Sequence, residues 1–279
     1  MKSIAVLIPC YNEERTIVDV INSFRKYIPE AAIYVYDNNS SDQTAELARS
    51  AGAIVENVKD KGKGNVVRKM FSDVKADIFL MADGDSTYDA SDSPKMIDLI
   101  QSSNIDMVVA VRKETSPTAY PQYHKIGNRL FNFILKILFG STFTDVFSGY
   151  RAFSKRFVKT FPATTCGFEV EVELSVHALT LAIPFAEIES KYKERPTNSF
   201  SKLNTFRDGI KILLRILQLL KEIRPLFFFG LISLFSLLIS LFMAYPLVIK
   251  FLDTGLVPRL PTAVLLCPKQ QIFQDCQGI

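Results

Sequence analysis

A run of 25 uncharged residues near the C-terminus limits the folds open to this chain more than any other feature. Residues 225–249 are rich in Leu, Phe and Ile and contain no Asp, Glu, Lys or Arg. As a helix rising about 1.5 Å per residue, the run would be about 37 Å long, enough to cross a lipid bilayer with some tilt. Pro246 lies near its far end, where a kink is tolerated. The run therefore predicts a transmembrane helix over residues 225–250.

The charges on either side of the run predict its orientation. The basic residues before it are Lys202, Arg207, Lys211, Arg215, Lys221 and Arg224, and those after it are Lys250, Arg259 and Lys269. Because basic residues collect on the cytoplasmic side of a span, residues 1–224 are expected at the cytoplasmic face of the inner membrane. The apolar stretch at residues 3–9 has only seven residues and ends in Pro9, so it is too short to be a cleavable signal.

The segment that leads into the span has the pattern of a basic amphipathic helix. Its apolar face consists of Ile210, Leu213, Leu214, Leu217 and Leu220. Such a helix can lie in the membrane interface or pack its apolar face into a protein core. We favour the interface because the span holds this segment close to lipid. The predicted organisation is a catalytic domain over 1–202, a juxtamembrane helix over 203–224, the span over 225–250 and a tail over 251–279.

Overall composition excludes several classes of protein. The 279 residues carry a net charge of +4, which gives no general indication of nucleic-acid binding. The four cysteines form no CxxC pair and only two histidines are present, so neither a zinc site nor a disulfide framework is expected.

The first 111 residues alternate apolar runs with helical patterns. Strands are predicted over 3–9, 31–37, 53–57, 77–82 and 105–111, and helices over 13–27, 42–50, 65–74 and 93–101. This rhythm indicates an α/β, Rossmann-like domain with a mainly parallel central sheet. Further helices are predicted over 124–139 and 203–222.

Polar residues follow the predicted strands where a parallel sheet binds its ligands. The segments at these ends are 9–13 (PCYNE), 37–39 (DNN), 83–85 (DGD) and Arg112. In open α/β sheets the carboxyl ends of the strands form the binding crevice. A nucleotide would find suitable partners there.

Asp83 and Asp85 form the most informative pair at these ends. Carboxylates two residues apart after a strand can meet at one point, and Gly84 between them lets the backbone approach closely. Their hard oxygen ligands suit Mg²⁺ or Mn²⁺ and leave coordination positions for a diphosphate. The alternative for such an isolated pair is a solvated acidic turn.

Seven motifs in a fixed order resemble a known family. They are IPCYNEE (8–14), DNNSSDQT (37–44), KGKGN (61–65), DGD (83–85), DVFSGYRAFS (145–154), GFEVEVEL (167–174) and RPTNSFSKL (195–203). The chain resembles family 2 glycosyltransferases, and within them the polyprenyl-phosphate branch that includes dolichol-phosphate mannose synthase. The resemblance implies a GT-A fold, a nucleotide-diphosphate sugar as donor, a polyprenyl phosphate in membrane lipid as acceptor, and a divalent metal.

The resemblance also implies roles for individual residues on the donor side. The residues it assigns to the nucleotide sugar are Pro9, Tyr11, Glu13, Asp37, Asp83, Gly84, Asp85, Arg112, Arg195 and Lys202. Of these, Asp37 would accept a hydrogen bond from the base, and Asp85 would ligate the metal directly. Arg112 and Arg195 would lie near the donor phosphates, for which the guanidinium fork is well suited.

On the acceptor side, the resemblance places Asp145 at the position often proposed as the base. A lipid phosphate is largely dianionic at pH 7, so orientation by Asp145 and true base catalysis stay open as alternatives. The candidate ligands of the acceptor phosphate are Ser148, Arg151, Ser201 and Lys202. A single displacement by this phosphate would invert the anomeric centre.

Other charged residues have two interpretations each. Lys61, Lys63 and Arg68 can line the base and ribose or form a solvated basic loop. The alternating Glu169, Glu171 and Glu173 are expected on a helix, and a structural role for Glu171 and Glu173 is favoured over catalysis.

Some positions depart from the family pattern. Asn38 and Asn39 stand where the family often has Asp and Gly, and Asn198 stands where Gly is common. Asn39 preserves the turn because Asn adopts left-handed backbone conformations. The tail leaves the pattern at about Cys267, near where bacterial members carry a second span, so it is expected to be short relative to the family.

Four rival functions can be weighed from the sequence. Processive polysaccharide synthases carry a QxxRW motif, and this chain has no Trp. A nucleotidyltransferase would carry a Gly-rich loop after the first strand, where this chain has CYNEE. A membrane-tethered, inactive nucleotide-sugar-binding protein, or a transferase for another membrane or glycan acceptor, is the remaining alternative. The sequence decides neither the sugar nor UDP against GDP, and a homo-oligomer is compatible with it.

Overall fold

The computed structural model describes residues 2–114, 122–140, 142–194 and 205–256. The chain divides into two compact units, residues 1–216 and 217–279. The predicted boundary at residue 202 falls outside the described residues and stays a prediction.

The first unit alternates strands and helices along most of its length. Its strands are β1 (Ile4–Cys10), β2 (Ala32–Asp37), β3 (Ile54–Asn57), β4 (Ile78–Met81), β5 (Met107–Glu114), β6 (Arg151–Ser154) and β7 (Phe185–Tyr192). Its helices are α1 (Ile17–Tyr27), α2 (Thr44–Ser50), α3 (Lys63–Asp73), α4 (Ser93–Ser102), α5 (Gln122–Phe139), α6 (Lys155–Thr160) and α7 (Val170–Thr180). The helix α8 (Thr205–Ile223) begins in this unit.

The seven strands form one sheet in the order β3-β2-β1-β4-β6-β5-β7. The first four are parallel, as are β5 and β7, whereas β6 runs antiparallel to both of its neighbours. Strands β1 and β4 are almost wholly buried because helices cover a parallel sheet on both faces. Helix α1 buries Ile17, Val20, Ile21 and Phe24, which recur at helical spacing, against this sheet.

The predicted α/β fold with a mainly parallel sheet is confirmed. The five predicted strands lie within three residues of β1 to β5. Strands β6 and β7 and helix α6 were not predicted. The helix expected at the alternating glutamates is present as α7, and it buries Val172 and Val176.

Helix α8 has two different apolar faces. The predicted face is largely exposed, with Ile210, Leu213, Leu214 and Leu217 between 40% and 60% accessible. Leu220 is an exception because it is buried. The face that packs against protein includes Ile212, Arg215 and Ile216 instead. Core packing of the whole predicted face is therefore contradicted.

Helix α9 (Pro225–Thr254) runs for 30 residues, and none of them is buried. Within the described residues it is the one helix long and apolar enough to span a membrane, judged by length and composition. It contains Pro246 and ends at Gly255, whose φ of 66° lies in the left-handed region that glycine favours. The helix is four residues longer than the predicted span.

Candidate active site

Three parallel strands end at one edge of the sheet and bring the predicted donor-side segments together. Cys10 at the end of β1 pairs in register with Asp37 at the end of β2. Leu7 in β1 pairs with Met81, the last residue of β4. The amide of Asn38 donates to the carbonyl of Cys10 at 2.8 Å. The segments that follow the three strands therefore share one edge, as expected for a parallel sheet.

Gly84 fits a confined place in this edge. The hydroxyl of Thr16 donates to the Gly84 carbonyl at 2.6 Å. A Cβ added to Gly84 would lie 2.7 Å from the Sγ of Cys10, closer than side chains tolerate. Glycine therefore lets the Asp83–Asp85 turn lie directly against the end of β1.

The carboxylate of Asp37 has one satisfied and one unsatisfied oxygen. Oδ2 accepts a hydrogen bond of 3.1 Å from the amide of Ser40. Oδ1 is buried and receives no hydrogen bond from the part of the chain that the structure describes. A buried acceptor without a donor is costly, so this oxygen is suited to a donor that arrives with a ligand.

Tyr11 and the segment of residues 58–62 lie next to one another. The Nζ of Lys61 is 5.6 Å from the centre of the Tyr11 ring, within cation–π range. The ring is partly exposed. Pro9 is half-buried within β1, and the amide of Glu13 donates to Thr44 Oγ1 at 2.8 Å. The predicted nucleoside residues Pro9, Tyr11 and Glu13 therefore lie on one short stretch of chain, which contacts Thr44 and Lys61.

Asn38 holds the segment of residues 58–62 through three hydrogen bonds. Its Nδ2 donates to the carbonyls of Val58 and Asp60 at 3.2 and 2.7 Å, and its Oδ1 accepts from the amide of Gly62 at 2.7 Å. An aspartate at this position could not donate to the two carbonyls. This geometry gives a physical reason for the asparagine where the family often has aspartate.

Lys63 binds two carboxylates in a largely buried place. Its Nζ lies 2.6 Å from Oδ1 of Asp83 and 2.7 Å from Oε1 of Glu171. Burial alone would lower the pKa of Lys63, but the charges and hydrogen bonds of Asp83 and Glu171 outweigh it and raise the pKa. The ammonium group therefore stays charged and places a fixed positive charge beside the first aspartate of the DGD motif.

Asp85 is buried after β4 and is oriented by its own turn. Its Oδ1 accepts from the amide and the hydroxyl of Thr87 at 3.3 and 2.6 Å. No cluster of three or more His, Cys, Asp or Glu side chains suited to a metal is present in the described ranges. Asp83 and Asp85 nevertheless supply the hard oxygen atoms that Mg²⁺ and Mn²⁺ prefer, so the two residues fit such an ion.

The KGKGN segment packs against the segment of residues 163–166. The amide of Gly64 donates to the carbonyl of Cys166 at 2.9 Å. Cβ atoms added to Gly62 and Gly64 would lie 2.2 Å from the carbonyl oxygens of Cys166 and Thr165. Glycine is needed at both positions because backbone meets backbone there. Helix α3 begins within this segment, at Lys63, two residues before the predicted start of the helix at residue 65.

Arg112 and Asp145 form a largely buried, bidentate ion pair. Nε of Arg112 donates to Oδ2 and Nη2 donates to Oδ1, each at 2.7 Å. Asn128 of α5 adds a bond of 3.2 Å to Oδ1. Burial would raise the pKa of Asp145, but the charge and hydrogen bonds of Arg112, with that of Asn128, hold the pKa below its ordinary value. Asp145 is therefore a stable carboxylate.

Ser148 and Arg151 do not present their side chains to a ligand. Both are fully buried. The Ser148 hydroxyl donates to the carbonyl of Ala110 at 2.5 Å, and Arg151 donates to the carbonyl of Ser148 at 2.9 Å and to Ser175 Oγ at 3.0 Å. The donors of both side chains are engaged within the protein, with β5, α7 and the loop before β6, so a contact with an acceptor phosphate stays a prediction that this arrangement does not favour.

The remaining predicted ligands, Arg195, Ser201 and Lys202, lie outside the described residues, and so does the tail beyond residue 256.

Several residues that shape the site were not predicted. Gly149 belongs to the motif DVFSGYRAFS (145–154), and a Cβ added there would lie 2.5 Å from Oδ2 of Asp83. The Tyr88 hydroxyl accepts from the Gly149 amide at 2.9 Å. Asn128 had no signal beyond its place on a predicted helix. Lys63 and Glu171 were noted in the sequence, but their pairing joins residues far apart in the chain.

Comparison with known proteins identifies the family of this chain. Residues 5–161 match the family model described as Glycosyl transferase family 2. Glycosyltransferase AglJ of Haloferax volcanii is 34% identical over 270 residues, which cover 95% of this chain and 88% of that protein. A dolichyl-phosphate hexose transferase of Haloferax volcanii is 28% identical over 209 residues, covering 75% of this chain and 90% of that protein.

A solved structure shows the same fold. Glucosyl-3-phosphoglycerate synthase from Mycobacterium tuberculosis, in complex with Mn²⁺, UDP and phosphoglyceric acid, superposes with a TM-score of 0.65 at 19% identity. The superposition covers 78% of this chain and 78% of that one. With a family model that matches more than half of its residues, and a relative aligned along nearly its whole length, this chain belongs to glycosyl transferase family 2 and has a GT-A-like fold.

Proposed function

We propose that this protein transfers a sugar from a nucleotide-diphosphate sugar to a polyprenyl phosphate at the cytoplasmic face of the membrane, with inversion at the anomeric carbon. The observation that carries the proposal is the meeting of Asp37, Asp83 and Asp85 at one edge of the sheet, in a member of a glycosyltransferase family. In this proposal Asp37 binds the base, and Asp83 and Asp85 lie where the diphosphate would be held.

The unsatisfied oxygen of Asp37 supports nucleoside binding. Uracil and guanine both carry a ring N–H that can donate to a carboxylate, so Oδ1 of Asp37 fits UDP and GDP alike. The exposed ring of Tyr11 offers a flat surface on which a base could stack, and the Nζ of Lys61 lies 5.6 Å from the ring centre. Pro9 and Glu13 complete this part of the cleft.

Asp83 and Asp85 are the proposed ligands of a Mg²⁺ or Mn²⁺ ion, and the solved relative was crystallised with Mn²⁺ and UDP. When bound, the ion supplies counter-charge to the diphosphate leaving group. Lys63 keeps Asp83 in place and adds its own fixed positive charge nearby. Arg195 and Lys202 are proposed to add contacts to the phosphates, since guanidinium and ammonium groups pair with phosphate oxygens.

The acceptor phosphate needs little activation. As a dianion at pH 7 it is already nucleophilic. Because Arg112 and Asn128 hold Asp145 as a stable carboxylate, orientation of the reacting groups suits it better than strong base catalysis. Ser201 and Lys202 are the preferred ligands of the acceptor phosphate, because the side chains of Ser148 and Arg151 are buried and bonded within the protein. Direct attack by this phosphate on the donor sugar gives inversion.

The membrane features support a lipid acceptor. Helix α9 is apolar, exposed along its length and long enough to cross a bilayer. Helix α8 exposes Ile210, Leu213 and Leu214 on one face, as an interfacial helix would. A relative in this family is named dolichyl-phosphate hexose transferase. A lipid-linked acceptor would meet the catalytic domain at the membrane surface.

The test is to incubate membranes that contain the full chain with undecaprenyl phosphate and a panel of labelled nucleotide sugars. One donor is expected to give label that extracts with lipid, dependent on a divalent ion and on added polyprenyl phosphate. Nucleotide-sugar binding without transfer would favour the inactive binding protein. Label incorporated into a water-soluble or polymeric product would favour a different acceptor.

A further inference from the structure

Arg215 is a buried cation on a helix whose other face is exposed and apolar. It is 9% accessible and lies on the side of α8 that packs against protein. Its Nη2 is 2.7 Å from Oε1 of Glu173 in α7 and also binds the hydroxyl of Thr164. A charge this deeply buried is expected only where its partner is fixed.

Glu173 uses both carboxylate oxygens to hold residues 164 and 165. Oε1 accepts from the amide and hydroxyl of Thr164, and Oε2 accepts from the amide and hydroxyl of Thr165, the latter at 2.7 Å. Burial would raise the pKa of Glu173, but these hydrogen bonds and the charge of Arg215 outweigh it and lower the pKa. The carboxylate stays ionised and fixes the segment of residues 163–166.

That segment in turn holds the start of α3. The guanidinium of Arg68 donates to the carbonyl of Ala163 at 2.6 Å. The amides of Gly64 and Asn65 donate to the carbonyl of Cys166 at 2.9 and 3.3 Å. Since Gly64 has no side chain, nothing keeps the two backbones apart. The position of residues 62–68 therefore depends on where residues 163–166 lie.

The start of α3 carries Lys63 to the DGD motif. Its Nζ lies 2.6 Å from Asp83 and 2.7 Å from Glu171, which is two residues before Glu173 on α7. Contiguous contacts thus lead from α8 to the first aspartate of the proposed metal site. The opposite face of α8 exposes Ile210 and Leu214.

We propose that Arg215 is a positioning residue that ties the placement of α8 to the donor cleft, by fixing Glu173 and residues 163–166 and thereby Lys63 beside Asp83. The proposal rests on the proposed nucleotide-binding function of that cleft. In this arrangement, the helix that precedes α9 in the chain also sets the position of Lys63 beside Asp83, one of the two residues that would hold the metal.

The test uses the full chain in lipid nanodiscs, with Arg215→Met as the main variant and Lys211→Met as its matched control. Lys211 is a basic residue one turn earlier on α8, with an exposed side chain. Two quantities are measured: hydrogen exchange of peptides that contain residues 62–68 and 163–166, and the Kd of UDP and of GDP in the presence of Mn²⁺. Neither depends on turnover.

In Arg215→Met, exchange at residues 62–68 and 163–166 should rise and the nucleotide Kd should increase about tenfold, a coupling typical of linked sites. Exchange in α1, away from these contacts, should not change. Lys211→Met should match the wild type in both measurements. A double variant with Glu173→Gln should weaken nucleotide binding less than the product of the two single effects, because the two residues act through one contact.

Unchanged exchange at residues 62–68 in a folded Arg215→Met protein would overturn the proposal, as would a uniform rise across the sheet. Should that variant fail to fold, Arg215→Lys replaces it: it keeps the charge, loses the planar fork and should show smaller changes in the same direction. If the wild type binds neither nucleotide while exchange changes as expected, the proposed function fails and the structural link to Lys63 stands.

Discussion

The guanidinium of Arg112 binds both oxygens of Asp145, with Nε to Oδ2 and Nη2 to Oδ1 each at 2.7 Å. The resemblance to the family gave the two residues separate roles, one at the donor phosphates and one at the acceptor. Their pairing means that a phosphate that recruits Arg112 also changes the environment of Asp145. The two roles are therefore linked through one ion pair.

Replacing Arg112 by Met should shift the acid limb of the pH–activity profile to higher pH. In the wild type the pKa of Asp145 is lower in the folded protein than in the unfolded chain. The stabilisation that its negative charge contributes is therefore fully present above the unfolded-state pKa and is lost as pH falls through the folded-state pKa. Without Arg112, burial dominates and raises the pKa, so Asp145 takes up a proton at higher pH. The measurement is kcat/KM against pH.

The matched control for this prediction is Lys113→Met. Lys113 is the next residue in β5, and its ion pair with Glu189 is exposed. Its removal should leave the profile in place because an exposed pair contributes little. An Arg112→Met profile that coincides with the wild type would mean that Asp145 does not limit activity.

Replacing Asp85 by Ala should abolish transfer. The diphosphate leaving group would lose its counter-charge, and a loss of about a thousandfold corresponds to about 4 kcal/mol of transition-state stabilisation. Excess chelator should have the same effect on the wild type. Asp98→Ala, which removes an exposed carboxylate from α4, serves as the control. Full turnover in excess chelator would contradict the metal assignment.

Asn38→Asp should weaken donor binding with little change in fold. The substitution keeps the shape but replaces the donor of two hydrogen bonds by an oxygen that repels the carbonyls of Val58 and Asp60. Residues 58–62 should then move, taking Lys61 with them. We expect KM for the donor to rise about tenfold, with a smaller change in kcat, from steady-state kinetics.

Asn39→Asp is the matched control, since it makes the same chemical change at the next residue. Asn39 is exposed and has a φ of 64°, a conformation that Asp also tolerates. Equal effects from both variants would show that added negative charge, and not the lost hydrogen bonds, weakens binding.

The sequence predicted the parallel half of the sheet because apolar runs followed by helical patterns are local signals. Strand β6 escaped prediction for a physical reason: it has four residues, begins with the buried Arg151 and depends on pairing with β4 and β5. Strand β7 alternates, with Ile188, Ser190 and Tyr192 on its buried side. A period-two reading of residues 185–192 could have found it.

For the site, sequence signals located the ends of β1, β2 and β4 but not the partners of their side chains. Arg151 looked like a phosphate ligand because arginine often is one, and only the tertiary structure shows its donors turned inward. The pairing of Lys63 with Asp83 and Glu171 joins three distant segments. No local pattern encodes such a contact.

Gly64→Ala should destabilise the protein, whereas Gly209→Ala should not. A Cβ at Gly64 would lie 2.2 Å from the carbonyl oxygen of Thr165, and backbone cannot yield as a flexible side chain does. Overpacking of this kind costs about 1–3 kcal/mol. Gly209 lies in α8 with open space around it, so alanine there should be neutral or stabilise by up to about 1 kcal/mol.

The measurement for this pair is the thermal unfolding temperature, with nucleotide affinity as a second readout. Gly64→Ala should lower both because residues 62–68 carry Lys63. Equal unfolding temperatures for the two variants would show that residues 163–166 can move aside freely.

Cys166 can report on which side of the membrane the catalytic domain lies. Its side chain is exposed, whereas Cys10 is buried. The excess of basic residues before the span predicts a cytoplasmic domain. A membrane-impermeant maleimide added to intact cells should therefore leave Cys166 unmodified, and the same reagent should modify it after the membrane is permeabilised. Mass spectrometry of the peptide that contains Cys166 provides the measurement, and the Cys166→Ser variant shows which signal belongs to this thiol. Modification in intact cells would place the domain on the outer side, where nucleotide sugars made in the cytoplasm do not reach it, and would remove the basis for a cytoplasmic donor reaction.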